Sequence, residues 1–343
     1  MKFEYKSSEL EGGDRVSDVP RLTVGKKVRK WNPLAVGCVL LALVGVATAV
    51  GIGLRGKHAE VGVGTVSQDD VPPPEVNIQF GGASNPCAGR RKLGLCVGIN
   101  EVSPQVYPMA EMMKLKGCCN DADQFGALLR KIGYSVAILK NSEGNRSNVE
   151  RALNAAAKQL SDGDIFAVLI SGHGGRDEQT DGKKHESWVL YDGLVWDSDI
   201  IAAFSRFRKG VRILVVNDQC HSGGVFLEKR IASGTYRRYW SANTKDLSWT
   251  AEKAVASPDF PQLIQFASSR AEQPSKDCEM GGVWTIALIR SFTKDPHVTF
   301  SSWFNQAFAE IPRGMQEPQW VEKGPVSQEF RNERVCEGEV AVP

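Results

Sequence analysis

Two short segments carry residue types that together perform nucleophilic chemistry. His173 lies in LISGHGG, residues 169–175, and Cys220 lies in VVNDQCHSGG, residues 215–224. Each segment begins as an apolar, β-branched run and ends in glycine-rich sequence, which is typical of a buried parallel strand followed by a turn. Open α/β sheets place their sites at the carboxyl ends of such strands. Two neighbouring strands would therefore bring His173 to Cys220, pairing a thiolate nucleophile with a base.

The two residues have distinct expected roles. A free cysteine titrates near pH ~8.5, so Cys220 needs activation at neutral pH. His173 is the expected base, and it would then protonate the leaving amine. His221 is a competing base, but immediate neighbours on an extended strand point to opposite faces. The alternative is a buried structural cysteine with an unrelated loop histidine, which is the common situation for an isolated cysteine.

The composition limits the other classes of function. The chain has 343 residues, of which 42% are hydrophobic and 24% charged, as in ordinary globular proteins. A formal net charge of +2 gives no argument for nucleic-acid binding, so no nucleic-acid partner is expected. The cysteines show no CxxC pair, which argues against a zinc site or a dense disulfide scaffold. They lie at positions 38, 87, 96, 118, 119, 220, 278 and 336.

Residues 34–54 form an uncharged apolar stretch, long enough to cross a hydrocarbon core of about 30 Å as a helix. Most nearby basic residues precede it, which predicts a cytoplasmic N-terminus and a globular domain on the far side of the membrane. Two alternatives remain open. A cleaved signal peptide ending near 47–49 would release a secreted domain, and a buried helix would need no membrane.

The rest of the chain alternates strands with helices. This alternation predicts an α/β fold with a mostly parallel sheet covered on both faces. Ser147 and Glu150 have the spacing of a helix-initiating capping box. Strands are expected at 93–99, 135–139, 164–170, 186–191, 211–216, 262–267 and 319–321, and helices at 120–132, 147–160, 198–207, 283–292 and 301–311.

Several of these segments resemble the metacaspases, the arginine- and lysine-directed relatives of the caspases. The matching motifs are GCCNDA (117–122), SGHG (171–174), DQCHSG (218–223), ASSR (267–270), GGVWT (281–285) and QEPQ (316–319). The resemblance implies a caspase-like, mostly parallel sheet of six strands flanked by helices, and the apolar stretch predicts a single transmembrane helix before it. It also implies a cysteine endopeptidase acting on proteins or peptides with Arg or Lys before the cleaved bond. The caspase-specific sequence around the nucleophile is absent.

The apolar stretch and the composition around it, together with the resemblance over about residues 90–325, set the expected domain organisation. The boundaries are a cytoplasmic tail (1–33), a transmembrane anchor (34–54), a flexible linker (55–88), the catalytic domain (89–325) and a C-terminal tail (326–343). Within the catalytic domain, a large-subunit-like part (89–224) and a small-subunit-like part (259–325) flank a basic loop (225–258). Arg230 or Arg238 in this loop is a possible self-cleavage site.

The substrate-binding residues follow from position and resemblance. Asp218 lies two residues before Cys220, so the two side chains share one strand face, and its carboxylate would select a cationic side chain. In the metacaspases the matching Asp218, Ser171 and Cys118 line this pocket. The backbone N–H groups of Gly174 and Cys220 would form the oxyanion hole. Structural alternatives are a turn-capping Asp218, a core Cys118 and an ordinary turn at Gly174.

The chemistry itself requires no cofactor, but many metacaspases need calcium. Hard oxygen ligands suit this ion, and Asp192 and Asp197 are the best candidates after the histidine. His185 and Ser198 stand where carboxylates are expected, so solvated acidic loops remain the alternative. Two rival functions are also open: a catalytically silent caspase-fold interaction protein, and a legumain-like peptidase with a different specificity.

Overall fold

Apolar, β-branched runs form the central sheet of the domain. A computed structural model describes residues 74–81, 89–178, 184–225 and 260–336. In chain order its strands and helices are β1 (Lys92–Gly98), α1 (Cys118–Lys131), β2 (Ser135–Lys140), α2 (Arg146–Gln159), β3 (Ile165–Ser171), β4 (Gly174–Glu178), β5 (Lys184–Leu190), β6 (Gly193–Trp196), α3 (Asp197–Phe204), β7 (Arg212–Asp218), β8 (Gln262–Ala267), β9 (Asp277–Cys278), β10 (Gly281–Gly282), α4 (Val283–Lys294), α5 (Phe300–Glu310), β11 (Gln319–Lys323) and α6 (Gln328–Asn332).

The main sheet has six strands in the order β11-β8-β7-β3-β1-β2. All neighbours run parallel except β11, which is antiparallel to β8. Strands β1, β3 and β7 are buried along their whole length, which explains their near-continuous apolar sequences. The expectation of a mostly parallel, six-stranded α/β sheet is confirmed.

Helices cover both faces of this sheet. One core cluster joins the strands to α2 and α3 through Val149, Leu153 and Phe204. The other joins them to α1, α4 and α5, with Trp284 and Trp303 fully buried. Because helices cover both faces, the carboxyl ends of the strands are where a sheet of this kind carries its site.

The start of α2 differs from its prediction. The capping box was expected at Ser147 and Glu150, but the helix begins earlier, at Arg146. The cap is Asn145, whose side-chain oxygen accepts the N–H of Asn148 at 2.9 Å. Asparagine caps at least as well as serine, and the buried Asn145 side chain also donates to the Ser142 carbonyl at 2.9 Å.

A second sheet begins directly after His173, the predicted catalytic base. Strands β4, β5 and β6 form a three-stranded antiparallel sheet, where the sequence predicted only one short hairpin strand at 186–191. The sheet begins at Gly174, which pairs with the fully buried Trp188. The chain after β3 therefore enters a new ordered element immediately beyond His173.

The described domain extends past the predicted boundaries of 89 and 325. Val76, Ile78 and Phe80, placed in the linker, are partly buried against the core. At the other end, Phe330 and Val335, placed in the C-terminal tail, are buried. Both flanking segments contribute apolar side chains, which sequence periodicity could not reveal because each segment is short.

One part of the predicted fold is wrong. A single transmembrane helix was expected ahead of the domain, but none of the helices in the described ranges is long and apolar enough to span a bilayer. Residues 34–54 themselves lie outside the described residues. The described residues form a caspase-like α/β fold with a mostly parallel sheet.

Candidate active site

The site candidates meet at the carboxyl edge of the main sheet. Strands β3 and β7 are parallel neighbours, and Ser171 pairs in register with Asp218 at their ends. His173 and Cys220 each follow two residues later. The sheet thus brings together the two sequence motifs at the edge where open α/β sheets carry their sites.

His173 is oriented by the chain before α1. Its Nε2 lies 2.6 Å from the carbonyl oxygen of Met113, at the end of a short 3-10 helix, Ala110–Met113. The backbone carbonyl of His173 accepts the side-chain N–H of Gln219 at 2.7 Å. Because a carbonyl only accepts, Nε2 carries the hydrogen and donates it, which leaves the Nδ1 lone pair of the neutral ring free to take a proton.

Cys220 is half-buried and receives a backbone hydrogen bond. The N–H of Ser275 donates to its Sγ at 3.3 Å, and the thiol lies 3.9 Å from the Ser275 carbonyl oxygen. This contact ties the sulfur to the loop after β8. Sequence reasoning missed Ser275, because only the folded loop after β8 brings it to the nucleophile candidate.

Gly174 packs against the backbone of Cys220. A β-carbon at Gly174 would collide with the Cys220 carbonyl oxygen and would lie 3.2 Å from the Cys220 nitrogen. Only glycine allows this approach. The structure therefore brings together the two residues predicted to supply the oxyanion hole.

His221 has other partners. It adopts a left-handed conformation with φ 61°, and its Nδ1 lies 2.9 Å from the carbonyl oxygen of Ala271. Its backbone N–H donates to Gln273 at 3.0 Å. The sequence argument assumed an extended chain, whereas a left-handed turn directs His221 toward the loop after β8.

Asp218 is buried, at 5% exposed, and fully hydrogen-bonded. Its Oδ2 accepts the N–H and hydroxyl of Thr285, at 2.9 and 2.8 Å, and its Oδ1 accepts the Ser275 hydroxyl at 2.9 Å. Burial raises its pKa above the ordinary aspartate value. All of these donors are neutral, so they orient the carboxylate without cancelling its charge.

Asp121 is a pocket residue that the sequence analysis missed. It is 2% exposed and accepts the Ser171 hydroxyl at 2.6 Å and the Gly282 N–H at 2.9 Å. Burial, and then the nearby charge of Asp218, raise its pKa to about 8. The GCCNDA motif could have predicted Asp121, because this residue lies one helical turn after Cys118 on the same face of α1.

Cys118 and Asp277 complete an acidic cluster, hereafter the acidic pocket, with Asp121 and Asp218. The Cys118 thiol and the Asp121 and Asp277 carboxylates lie within 4.8 Å of one another, the one such group among the described residues. Burial raises the pKa of Cys118. No lysine or arginine of the described ranges pairs with any member of the acidic pocket. An electrostatically uncompensated, preorganised pocket of this kind suits a cationic side chain.

The two predicted calcium ligands have separate partners. Asp192 accepts the Arg146 N–H at 2.8 Å at the start of α2, and burial raises its pKa. Asp197 holds His185, with Nδ1 3.0 Å from both carboxylate oxygens. Within the described residues Asp192 and Asp197 do not belong to a common group of ligand atoms, and calcium binding stays a prediction. Arg230 and Arg238 lie outside the described residues.

Comparison with known proteins agrees with this geometry. The sequence model of the caspase domain matches residues 91–327. Metacaspase-1B of Aspergillus niger is 26% identical over 291 residues, covering 68% of this chain and 65% of that protein. Metacaspase-1B of Aspergillus terreus is 25% identical over 315 residues, covering 72% of this chain and 81% of that protein.

A solved structure has the same fold. The crystal structure of protein GSU0716 from Geobacter sulfurreducens is 27% identical, with a TM-score of 0.60, and covers 71% of this chain and 98% of that one. The family match spans most of the chain, including both strand-end motifs and the loop carrying Ser275. The chain belongs to the caspase-domain family and is a metacaspase-like cysteine endopeptidase.

Proposed function

We propose that this chain hydrolyses peptide bonds after Arg or Lys, with Cys220 as the nucleophile and His173 as the base. The observation that carries the specificity is the acidic pocket, where buried Asp121 and Asp218 have only neutral hydrogen-bond donors. Ser275 bonds both Asp218 and Cys220. The pocket therefore adjoins the sulfur that would attack the substrate.

The reaction proceeds in two halves. Sulfur of Cys220 attacks the carbonyl carbon of the scissile bond while Nδ1 of His173 accepts the thiol proton. The carbonyl oxygen takes the electron pair and is stabilised by the N–H groups of Gly174 and Cys220. When the C–N bond breaks, His173 returns the proton to the leaving amine. Water, deprotonated by His173, then hydrolyses the thioester and frees Cys220.

The acidic pocket selects the side chain before the cleaved bond. A guanidinium or ammonium group entering it would neutralise buried carboxylate charge, and arginine can also pair with a carboxylate through two hydrogen bonds. A neutral side chain of similar size leaves that charge uncompensated, which is costly in a buried site. Asp277, an exposed member of the acidic pocket, adds attraction for the incoming cation.

A panel of fluorogenic peptides tests this proposal. The full chain is assayed with matched peptides ending in Arg, Lys or Asp, beside Cys220→Ala and the control Cys119→Ala, which removes a half-buried thiol outside the proposed machinery. We expect cleavage of the Arg and Lys peptides only, lost in Cys220→Ala and retained in Cys119→Ala. Activity surviving in folded Cys220→Ala, or no selectivity for basic residues, would contradict the proposal.

Self-processing at Arg230 or Arg238 is part of the same proposal. Both residues satisfy the specificity that the acidic pocket suggests. Mass spectrometry of the purified wild type should reveal cleavage after one of them, absent in Cys220→Ala. An intact wild-type chain, under conditions in which peptides are hydrolysed, would exclude self-processing.

Calcium remains a predicted activator rather than a participant in the chemistry, which thiol, imidazole and backbone groups perform. The peptide assay should be repeated with calcium and with a chelator. Because Asp197 already holds His185, we expect activity to persist with the chelator. Complete dependence on calcium would show that the carboxylates rearrange or that other ligands serve.

A further inference from the structure

Gln219, the residue before Cys220, connects the two loops that carry the candidate nucleophile and base. Its side chain is 1% exposed, and its Nε2 donates to the carbonyl oxygen of His173 at 2.7 Å. Where β3 and β7 end, the main-chain bond from the Gly172 N–H to the Asp218 carbonyl is long, at 3.4 Å. The Gln219 amide is therefore the shorter of these two links between the loops.

The side chain of Gln219 influences the direction of the Gly174 N–H. The His173 carbonyl and the Gly174 N–H belong to one planar peptide group, in which they point in opposite directions. The same carbonyl accepts the Val189 N–H at 3.2 Å, so β5 and Gln219 both hold it. Gly174 itself forms a non-hydrogen-bonded pair with Trp188 in the antiparallel ladder. Its N–H therefore points away from β5, and the bonds to the carbonyl fix that direction.

The main chain of Gln219 fixes a second N–H in the same way. Its carbonyl and the Cys220 N–H belong to one peptide group. This carbonyl accepts the hydroxyl of Ser268 at 3.0 Å and that of Ser269 at 3.4 Å, and both serines are buried directly after β8. Hydrogen bonds to a carbonyl also polarise the N–H of the same peptide group and make it a stronger donor. One residue thus links both N–H groups to fixed partners.

Packing alone does not explain a glutamine at this position. Oε1 of Gln219 has no hydrogen-bond partner among the described residues, and an unpaired buried amide oxygen is unfavourable. The two peptide groups that Gln219 holds lie side by side, because a β-carbon at Gly174 would be 3.2 Å from the Cys220 nitrogen. The amide is therefore best explained by the carbonyl that it holds.

We propose that Gln219 is the positioning residue of the oxyanion hole, holding the N–H groups of Gly174 and Cys220 where the substrate carbonyl oxygen becomes negative. The inference rests on the proposed function, because it concerns the same hydrolysis. Donors that are fixed in advance stabilise the developing charge without reorganising during the reaction. Gln219 acts through the two peptide groups, so its loss should weaken binding of the tetrahedral intermediate and spare the acidic pocket.

Three measurements on the full chain distinguish this role from a structural one. The first gives kcat and KM for an Arg-ended fluorogenic peptide. The second gives the inhibition constant of an Arg-ended peptide aldehyde: Sγ of Cys220 bonds to the aldehyde carbon, the oxygen takes the carbonyl electron pair in the oxyanion hole, and the thiol proton passes to His173. The third gives the affinity for benzamidine, an arginine mimic that has no carbonyl to place in the hole.

The variants remove one hydrogen bond each. Gln219→Met replaces the amide with an apolar side chain of similar length, and Ser268→Ala removes a hydroxyl that holds the Gln219 carbonyl. The matched control is Gln265→Met. Gln265 is also fully buried, donates through Nε2 to the Ser222 carbonyl at 2.8 Å, and has an Oε1 without a partner in the described ranges.

We expect Gln219→Met to lower kcat at least about tenfold with little change in KM, and to weaken aldehyde binding by a similar factor. Ser268→Ala should lose about threefold to tenfold in kcat and in aldehyde affinity. Benzamidine affinity should stay within about twofold of the wild type in both variants, and Gln265→Met should keep kcat within about twofold.

Unchanged kcat and aldehyde affinity in Gln219→Met, or an equal loss in Gln265→Met, would overturn the inference. A parallel loss of benzamidine binding would also overturn it, because it would indicate a general distortion of the site. If Gln219→Met does not fold, Ser268→Ala decides by the same criteria. A wild type that cleaves neither Arg nor Lys peptides would contradict the proposed function and this inference with it, whereas an active wild type with equally active variants would contradict the inference alone.

Discussion

The two edges of the main sheet carry opposite charges on the same strands. Strand β7 begins at buried Arg212 and ends at buried Asp218, with the apolar run ILVV between them. The neighbouring strand β3 ends at Ser171, and β1, on the other side of β3, begins at Lys92. Buried charge at a strand end is unfavourable unless something compensates it. The proposed specificity uses the buried negative charge at the carboxyl edge, where the cationic side chain of a substrate would compensate it.

The edges differ in how far the protein compensates its own charge. Asp218 and Asp121 have neutral hydrogen-bond donors only, whereas Arg212 has the Glu333 carboxylate as partner. The carboxyl groups of the acidic pocket therefore have no cationic partner among the described residues. Substitutions at the carboxyl edge should change activity far more than those at the amino edge.

The largest effect is expected from His173→Ala. Loss of the general base should lower kcat about 10³-fold, measured with an Arg-ended fluorogenic peptide. His221→Asn is the matched control, because asparagine tolerates the left-handed conformation that His221 adopts. Its activity should stay near that of the wild type. Equal losses in the two variants would mean that the base has been misassigned.

Asp121→Asn should remove a pH dependence of binding. Because burial and Asp218 raise the Asp121 pKa to about 8, the free carboxyl ionises between about pH 7 and pH 9, and only the ionised form attracts a cation. Wild-type affinity for benzamidine, an arginine mimic, should therefore rise with pH across this range. The variant should bind about tenfold more weakly at pH ~9 and show a flatter profile.

The control for this measurement is Asp123→Asn, which changes an exposed carboxylate on the same helix that pairs with Lys140. Its benzamidine profile should match that of the wild type. An unchanged profile in Asp121→Asn would show that this carboxyl does not face the bound cation.

Ser275→Ala should have an intermediate effect. Its hydroxyl donates to Asp218 while its N–H donates to Cys220, so its loss should release the loop from the acidic pocket. We expect kcat/KM to fall about tenfold and the rate at which iodoacetamide alkylates Cys220 to change. Ser275→Thr should restore both, and Ser205→Ala, which loses a helix-end hydrogen bond, should change neither. An unchanged alkylation profile would reduce Ser275 to a purely structural role.

The smallest effect on peptide hydrolysis is expected from the amino edge. Arg334→Ala should leave kcat/KM within about twofold of wild type, because sites this far apart act independently. A large loss of peptidase activity in this variant would show that the two edges are coupled.

The sequence predicted the features of the fold that depend on local residue patterns. The apolar runs ending at Ser171 and Asp218 predicted adjacent parallel strands, and the structure pairs them in register. Asp121 was missed although Cys118, one turn earlier, was selected, because helical spacing alone does not distinguish a pocket residue from a core one.

Contacts that are distant in sequence were beyond prediction. Arg212 and Glu333 are 121 residues apart, and Lys92 lies among residues contributed by separate strands and by the segment after α6. From the sequence alone, a basic residue at the start of a strand cannot be distinguished from a solvent-exposed one. Only the packed fold shows that Lys92 is buried and Ser275 adjoins Cys220.

The central claim is that buried negative charge selects a basic residue before the cleaved bond. The peptide selectivity of Asp218→Asn tests this claim most directly. The wild type and the variant are assayed with matched peptides ending in Arg and in citrulline, which has the same shape without the charge. The wild type should favour Arg by about 10²-fold or more in kcat/KM, and Asp218→Asn should reduce that preference to below about tenfold. A folded, active Asp218→Asn that keeps the wild-type preference would contradict the assignment of buried negative charge as the basis of specificity.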